Sequence, residues 1–175
     1  MANRISVCLI FIFVASVLGE CPNGYTRHDD SCYKFFSSVL ATWAESLTYC
    51  ELFESKLAVI ETEREQTFIE GLLRREWHPA ASDGVWVDGT DLLIEGEWIW
   101  ADDGTPIKSQ TFQKWYPGEP NSLGKRGEDC MDLLHHEKYN WNDNSCERKQ
   151  NFLCEIETEG TSGSGGVNTG GIIGR

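Results

Sequence analysis

Two stretches in the first half of the chain carry apolar residues at helical spacing. Each begins with a capping box, in which a threonine, Thr42 or Thr62, is followed three residues later by a glutamate. The first stretch predicts a helix from Trp43 to about Ser55, and the second predicts a helix that ends at Trp77-His78-Pro79. The apolar face of the second helix consists of Phe68, Ile69, Leu72 and Leu73.

Short apolar runs, several of them with period-two alternation, are typical of strands and occur along the rest of the chain. They are Ser31–Phe36, Leu57–Ile60, Val85–Val87, Gly96–Trp100, Cys130–Leu134 and Asn151–Glu155. Loops rich in Gly, Pro, Asn and Asp separate the later runs, which predicts small antiparallel sheets and long loops. Two helices that precede such strands indicate an α+β domain.

The two ends of the chain differ in composition from this domain. Residues 1–19 are typical of a secretory signal peptide, with Arg4 before an apolar segment and Gly19 at a plausible cleavage point. A membrane anchor is the competing interpretation, but the apolar run Ile5–Leu18 is shorter than the roughly 20 residues that span a bilayer. Residues 157–175 are rich in Gly, Ser and Thr and predict a flexible tail. We therefore expect one secreted, extracellular domain, residues 20–156, without a membrane span.

The cysteines and the net charge narrow the class of protein. Loss of Cys8 with the signal peptide leaves six of the seven cysteines, and an even number in a secreted chain indicates three disulfides, which could pair in many ways. The absence of a Cys-x-x-Cys pair argues against zinc. The formal net charge of −13, which becomes −14 without Arg4, argues against nucleic acid as a partner. It suits calcium or a mineral surface, although many secreted domains are acidic for solubility alone.

Five side chains with oxygen donors are concentrated in one stretch of 25 residues. They are Glu119, Asn121, Glu128, Asn142 and Asp143. Carboxylate and amide oxygens, without clustered thiols or imidazoles, are the ligands that a hard cation such as calcium prefers. The sequence therefore predicts a calcium site in this stretch.

Other residues that suggest chemistry have simpler explanations. His135 and His136 would point to opposite faces of an extended segment, which favours a surface loop over a metal site. Asp102-Asp103 before Gly104 is more typical of a turn than of a glycosidase pair. The residues predicted to lie in the core rather than on a ligand are Trp43, Trp86, Trp98, Trp100 and Trp141. The chain contains no hydrolase, metalloprotease or phosphate-loop motif, so we do not expect an enzyme.

These features together resemble the C-type lectin-like domain over Cys21 to Glu155. The resemblance rests on the N-terminal cysteine pair, the two helices and four motifs. The motifs are Val85-Trp86-Val87-Asp88-Gly89, Trp98-x-Trp100, Glu119-Pro120-Asn121, and Trp141-Asn142-Asp143 before Cys146. Within the family the pattern looks like the perlucin-like proteins of mollusc shell, including the run from Leu92 to Trp98.

The resemblance implies a fold and a site. The fold has two helices packed on small antiparallel sheets, a long calcium-binding loop region and a cis peptide bond before Pro120. The implied disulfides are Cys21–Cys32, Cys50–Cys154 and Cys130–Cys146. The five oxygen donors would bind Ca²⁺ together with two vicinal hydroxyls of a sugar. An accessory calcium site is implied at Asp91, Glu95 and Asp129, although Ser122 stands where the family commonly has an acidic ligand.

The order of Glu119 and Asn121 across the proline resembles family members that bind equatorial hydroxyls, as in mannose, N-acetylglucosamine and fucose. The loop that follows is one residue longer than in collectin-type members and carries Lys125 and Arg126, for which a solvated tip is favoured over a contact with an anionic sugar. The first function implied is a calcium-dependent lectin, with a role in innate immune recognition. The alternatives are a shell-matrix protein that binds calcium carbonate and promotes biomineralisation, and a lectin-like domain that binds protein and no sugar.

Overall fold

A computed structural model of the chain describes residues 20–78, 82–108, 110–123 and 127–158. The predicted signal peptide, the tail beyond Thr158, and Lys125 and Arg126 lie outside the described residues. No helix in the described part of the chain is long and apolar enough to cross a membrane.

Both predicted helices are present. Helix α1 spans Trp43–Leu52 and has the full capping box, since Thr42 accepts from the Glu45 N–H and the Glu45 carboxylate accepts from the Thr42 N–H. Helix α2 spans Glu63–Glu76 and is capped by Thr62, which accepts from the Glu65 N–H. The Glu65 carboxylate accepts from the N–H of Glu61, one residue before the cap, so this second box is displaced by one residue from the predicted one.

The strands of the described residues form a single sheet of eight strands. They are β1 (Thr26–His28), β2 (Ser31–Ala41), β3 (Lys56–Leu57), β4 (Gly84–Thr90), β5 (Ile99–Trp100), β6 (Cys130–Leu134), β7 (Asn140–Asn144) and β8 (Gln150–Glu157). The path through the sheet is β1-β2-β8-β4-β6-β7, with β3 beside β8 and β5 beside β4. Strand β8 enters the segment predicted as tail, and the Thr158 N–H donates to the carbonyl of Asp30 at 2.6 Å.

This sheet corrects the predicted architecture in several places. The predicted α+β arrangement of two helices and antiparallel strands is confirmed, but the strands form one mixed sheet, in which β4 and β8 run parallel, instead of small antiparallel sheets. Strand β7 was not predicted, since its sequence Asn-Trp-Asn-Asp-Asn consists of residues that favour turns. Within the predicted strands Leu57–Ile60 and Gly96–Trp100, only Leu57 and Ile99–Trp100 lie in strands, and α1 ends at Leu52, three residues before the predicted end.

The two helices cover opposite faces of the central strands. Val85 and Val87 of β4 belong to the same core cluster as α2, whereas Trp86, between them, belongs to the cluster of α1. Successive side chains of a strand point to opposite faces, so β4 is buried on both sides along its whole length. The five tryptophans predicted to be core are all buried.

The three disulfides of the structure have the pairing that the resemblance implies. Cys50–Cys154 joins α1 to β8 across a sequence separation of 104 residues. In chain-entropy models a loop of that length contributes about 4–5 kcal/mol to stability. Cys130–Cys146 connects the start of β6, two residues after Glu128, to the segment after β7, the strand that carries Asn142 and Asp143.

Asp88 of β4 is a buried carboxyl group with a hydrogen bond to only one of its two oxygens. Its Oδ2 accepts from the Asp102 N–H at 2.9 Å, whereas its Oδ1 is buried without a hydrogen-bond partner. Burial raises the pKa of Asp88 to about 7. The native state therefore holds a proton that the unfolded chain loses above pH 4, and the stability associated with that proton is lost as the pH rises from about 4 to about 7.

We predict that Asp88→Asn, which mimics the protonated group, stabilises the protein more at pH 8 than at pH 5. The gain in unfolding free energy should be larger at pH 8 by on the order of 2 kcal/mol. Denaturant titrations of both proteins at the two pH values measure it. An equal difference at both pH values would contradict the assigned protonation of Asp88.

Candidate functional site

Hydrogen bonds connect four of the five predicted oxygen donors at the junction of the 119–128 loop and β7, whereas the fifth, Asn142, lies beside Asp143 in β7 and donates to Asp132. Asp143 Oδ2 accepts from the consecutive N–H groups of Asn121 and Ser122, at 2.8 and 2.5 Å. The Leu123 N–H donates to Asn121 Oδ1 at 2.9 Å and to Glu128 Oε2 at 3.0 Å. These contacts join both sides of the loop to the strand.

The backbone of the loop is tightly turned around these donors. The Glu119–Pro120 peptide is cis, and Ser122 lies in the left-handed region at φ 47°. The Asn121 amide donates to the Glu119 carboxylate, so a hydrogen-bond donor and an acceptor stand side by side across the proline. At Gly127, with φ 75°, an added Cβ would lie 3.0 Å from the Asp129 carboxylate, which explains the glycine at the end of the loop.

The electrostatics of the site fit a cation. Partial burial, then a hydrogen bond and charge repulsion from Asp143, raise the pKa of Glu119 to about 7. Burial and the charge of Asp143 also raise the pKa of Glu128. Asp143 Oδ1 is buried without a hydrogen-bond partner. The site thus contains an unpaired acceptor among carboxylates that repel one another, and a bound cation would satisfy both.

The predicted donor set combines carboxylates with amides. Within the described ranges, no three His, Cys, Asp or Glu side chains are placed so that they could hold a metal ion by themselves. The other two predicted donors, Asn121 and Asn142, have neutral amide oxygens. Such a mixed set matches the preference of calcium for oxygen ligands of both kinds.

The three residues predicted for an accessory site lie near one another, but their carboxylates are not placed so that they could hold a metal ion by themselves. The Asp91 N–H donates to the Asp129 carbonyl at 3.2 Å, and the Gly96 N–H donates to Asp91 Oδ2 at 2.8 Å. Asp91 Oδ1 is buried without a partner. Burial, then the charges of Glu95 and Asp129, raise the pKa of Asp91.

A buried network that sequence reasoning missed holds β7 in place from behind. The Trp141 indole donates to Gln66 Oε1 of α2 at 2.9 Å, and Gln66 Nε2 donates to the Tyr139 carbonyl at 2.9 Å. Trp141 also exchanges backbone hydrogen bonds with Lys114 and Tyr116, both at 2.8 Å. Gln66 is a polar residue within the apolar face of a predicted helix, and such a position could have indicated a buried hydrogen-bonding role.

A second missed residue, Asp132 of β6, is completely buried beside the site. It accepts hydrogen bonds from Asn142, Asn144 and Gln150. Burial raises the pKa of Asp132 to about 6. A charged residue in the middle of an apolar strand, Cys-Met-Asp-Leu-Leu, was the signal for it.

The groups with simpler explanations are placed as expected. His135 stacks on Trp77 with ring centroids 3.9 Å apart, whereas His136 lies within 2.8 Å of the exposed Asp83. The two histidines therefore have separate partners. Asp103 accepts from the Thr105 N–H and hydroxyl in a turn.

The chain is similar to known proteins over most of its length. The sequence profile of the lectin C-type domain matches residues 39–156. Perlucin of Haliotis laevigata is 34% identical over 138 residues, which cover 78% of this chain and 83% of perlucin. The carbohydrate-recognition domain of the mouse scavenger receptor C-type lectin has a TM-score of 0.67 at 31% identity, covering 80% of this chain and 100% of that domain. The cow CD23 domain, solved in the presence of a GlcNAc2Man3 oligosaccharide, has a TM-score of 0.66 at 30% identity, covering 79% and 97%.

We predict that Gln66→Met destabilises the protein by about 1–3 kcal/mol, because it leaves the Trp141 indole N–H and the Tyr139 carbonyl buried without partners. Denaturant unfolding measures the effect. Thr67→Ala, the next position on α2 and exposed, is the matched control and should change stability by less than about 0.5 kcal/mol. Equal stability of the two variants would show that Gln66 does not support β7.

Proposed function

Because this chain belongs to the C-type lectin family, we propose that it is a secreted protein that binds carbohydrate through calcium held at the 119–128 loop and β7. The observation that carries the proposal is the Asp143 carboxylate. One of its oxygens fastens the loop, and the other is buried and unpaired among further oxygen donors. A buried carboxylate oxygen without a hydrogen-bond donor is unfavourable, and a bound cation would stabilise it.

The residues that would hold calcium are Glu119, Asn121, Glu128, Asn142 and Asp143. When bound, the ion would supply direct coordination of two vicinal sugar hydroxyls. The side chains of the site would complete the hydrogen bonds of those hydroxyls, since carboxylates accept a hydroxyl proton and amide N–H groups donate to a hydroxyl oxygen. The paired Glu119 and Asn121 supply one acceptor and one donor next to each other.

We propose a preference for mannose-type sugars, which include N-acetylglucosamine and fucose. The support is the order of Glu119 and Asn121 along the chain. This order determines on which side of the site a sugar hydroxyl finds a hydrogen-bond acceptor and on which side it finds a donor. The similarity to the cow CD23 domain, solved in the presence of an oligosaccharide of mannose and N-acetylglucosamine, supports the same class. A role in innate recognition of glycans would follow from such a preference. An enzymatic activity is not part of the proposal.

We predict that the protein is retained on mannose-agarose in calcium and is eluted by EDTA. Glu119→Gln combined with Asn121→Asp exchanges acceptor and donor without changing the net charge, and retention on mannose should be lost. The matched control makes the same two chemical changes at exposed positions away from the site, Glu51→Gln with Asn23→Asp, and should be retained like the wild type. Retention that is unaffected by EDTA would contradict the coordination mechanism, and failure of the wild type to be retained in calcium would favour the protein-binding alternative.

A second candidate function is binding of calcium carbonate as a shell-matrix protein that promotes biomineralisation. The similarity to perlucin and the net charge of −13 favour it. The two functions are compatible, because the many carboxylates outside the sugar site could meet a mineral surface independently.

We predict that the protein adsorbs to calcium carbonate and that adsorption is the same for the Glu119→Gln, Asn121→Asp double variant, because that variant has an unchanged net charge. Depletion of protein from solution over washed crystals measures this. Adsorption that falls in parallel with mannose retention would assign mineral binding to the sugar site instead of to the wider acidic surface.

A further inference from the structure

Asp132 is a carboxylate beside the candidate site that is not predicted to touch calcium or sugar. It lies in the middle of β6, directly opposite Asn142 in β7, and has no exposed surface. Its Oδ1 accepts from Asn142 Nδ2 at 3.2 Å. Its Oδ2 accepts from Asn144 Nδ2 at 2.9 Å and from Gln150 Nε2 at 2.6 Å.

These three partners are all neutral amides, and each presents its nitrogen to Asp132. An amide side chain offers either an N–H or an oxygen, and an ionised carboxylate accepts only from the former. Asp132 therefore decides which end of the Asn142 amide points into the sheet. The Asn142 nitrogen is drawn inward, where it also lies 2.5 Å from the Asp143 carbonyl, and the amide oxygen is directed to the other side.

We propose that Asp132 is a positioning residue that fixes the orientation of the Asn142 amide, so that its oxygen rather than its nitrogen is presented to the cation. The effect on cation binding rests on the proposed function, whereas the orientation of the Asn142 amide is a property of the protein without any ligand. Groups that orient metal ligands from behind usually change metal affinity about 10–100-fold when they are replaced.

The substitution Asp132→Asn tests this because it keeps the shape and reverses one contact. Asparagine has one acceptor oxygen, and two donors, Asn144 and Gln150, converge on the same side of residue 132. The new oxygen is expected to face those two donors. The new NH₂ group would then face Asn142, whose amide must rotate and turn its oxygen inward to accept from it.

A second substitution should distinguish the effect on calcium binding from the effect on mannose binding. In Asp132→Asn combined with Asn142→Asp, the NH₂ group at position 132 can donate to a carboxylate at position 142, which still has an oxygen to present outward. Calcium affinity should return towards the wild-type value. Mannose binding should stay weak, because the N–H that Asn142 would donate to a hydroxyl is gone.

The experiment uses three measurements on the full secreted chain. The first is solvent exchange of the Asn142 side-chain amide in calcium-free protein, followed by NMR and assigned by its absence in Asn142→Asp. The second and third are calorimetric titrations with calcium, and with mannose in the presence of calcium. Gln150→Met, which removes a donor to Oδ2 and leaves the Asn142 contact, is the matched control, and thermal melting verifies that each variant is folded.

In Asp132→Asn we expect faster exchange of the Asn142 amide and calcium affinity reduced about tenfold or more, with wild-type behaviour of Gln150→Met in both. Unchanged exchange and unchanged calcium affinity in Asp132→Asn would overturn the inference. If the wild type binds neither calcium nor mannose, the proposed function fails, and the exchange measurement still decides whether Asp132 orients Asn142. Loss of calcium binding that the second change does not restore would also count against the amide rotation.

Discussion

The carboxylate of Asp143 connects the two halves of the candidate site. Its Oδ2 accepts from two consecutive backbone N–H groups of the 119–128 loop, and its own strand is paired with β6 over five residues. The Cys130–Cys146 bond closes the same pair of strands. Without this contact, the donors of the loop and the donors of β7 would belong to separate segments, and no common site would exist. The other features of the site, from the network of Gln66 behind Trp141 to the buried Asp132, hold β7 where this contact can form.

Much of this arrangement could be predicted from local sequence. The capping residues Thr42 and Thr62 begin their helices as expected, and β6 has the predicted bounds Cys130–Leu134. The family resemblance implied the disulfide pairing, and the profile match and the solved domains confirm the family and the fold.

The features that the sequence did not predict depend on partners that are distant in sequence. Strand β7 has polar turn-forming residues because one face of it builds the site, so its local pattern hides a strand that the pairing with β6 stabilises. The parallel pairing of β4 with β8 follows from the insertion of the last strand between β2 and β4, which no local period encodes. Asp132 and Gln66 were missed for the same reason, since their partners lie on other elements.

Carboxylates and neutral amides lie side by side at the candidate site. Burial and the neighbouring Asp143 carboxylate raise the pKa values of Glu119 and Glu128, and the described part of the site has amides beside these carboxylates. Paired carboxylates among neutral amide groups suit a bound cation, because the cation relieves the repulsion and the amides complete its oxygen shell. The same carboxylates belong to the excess of Asp and Glu over Lys and Arg in the chain, so the proposed sugar binding and the proposed mineral binding would both depend on carboxylates.

The central claim is that one cation, held by residues of the loop and of β7, also holds the sugar. A crystal structure of the mature protein grown with calcium and mannose tests it most directly. We expect an ion in contact with oxygens of Glu119, Asn121, Glu128, Asn142 and Asp143 and with two adjacent hydroxyls of the sugar. Mannose bound at another surface, or at this one without contact to the ion, would contradict the account.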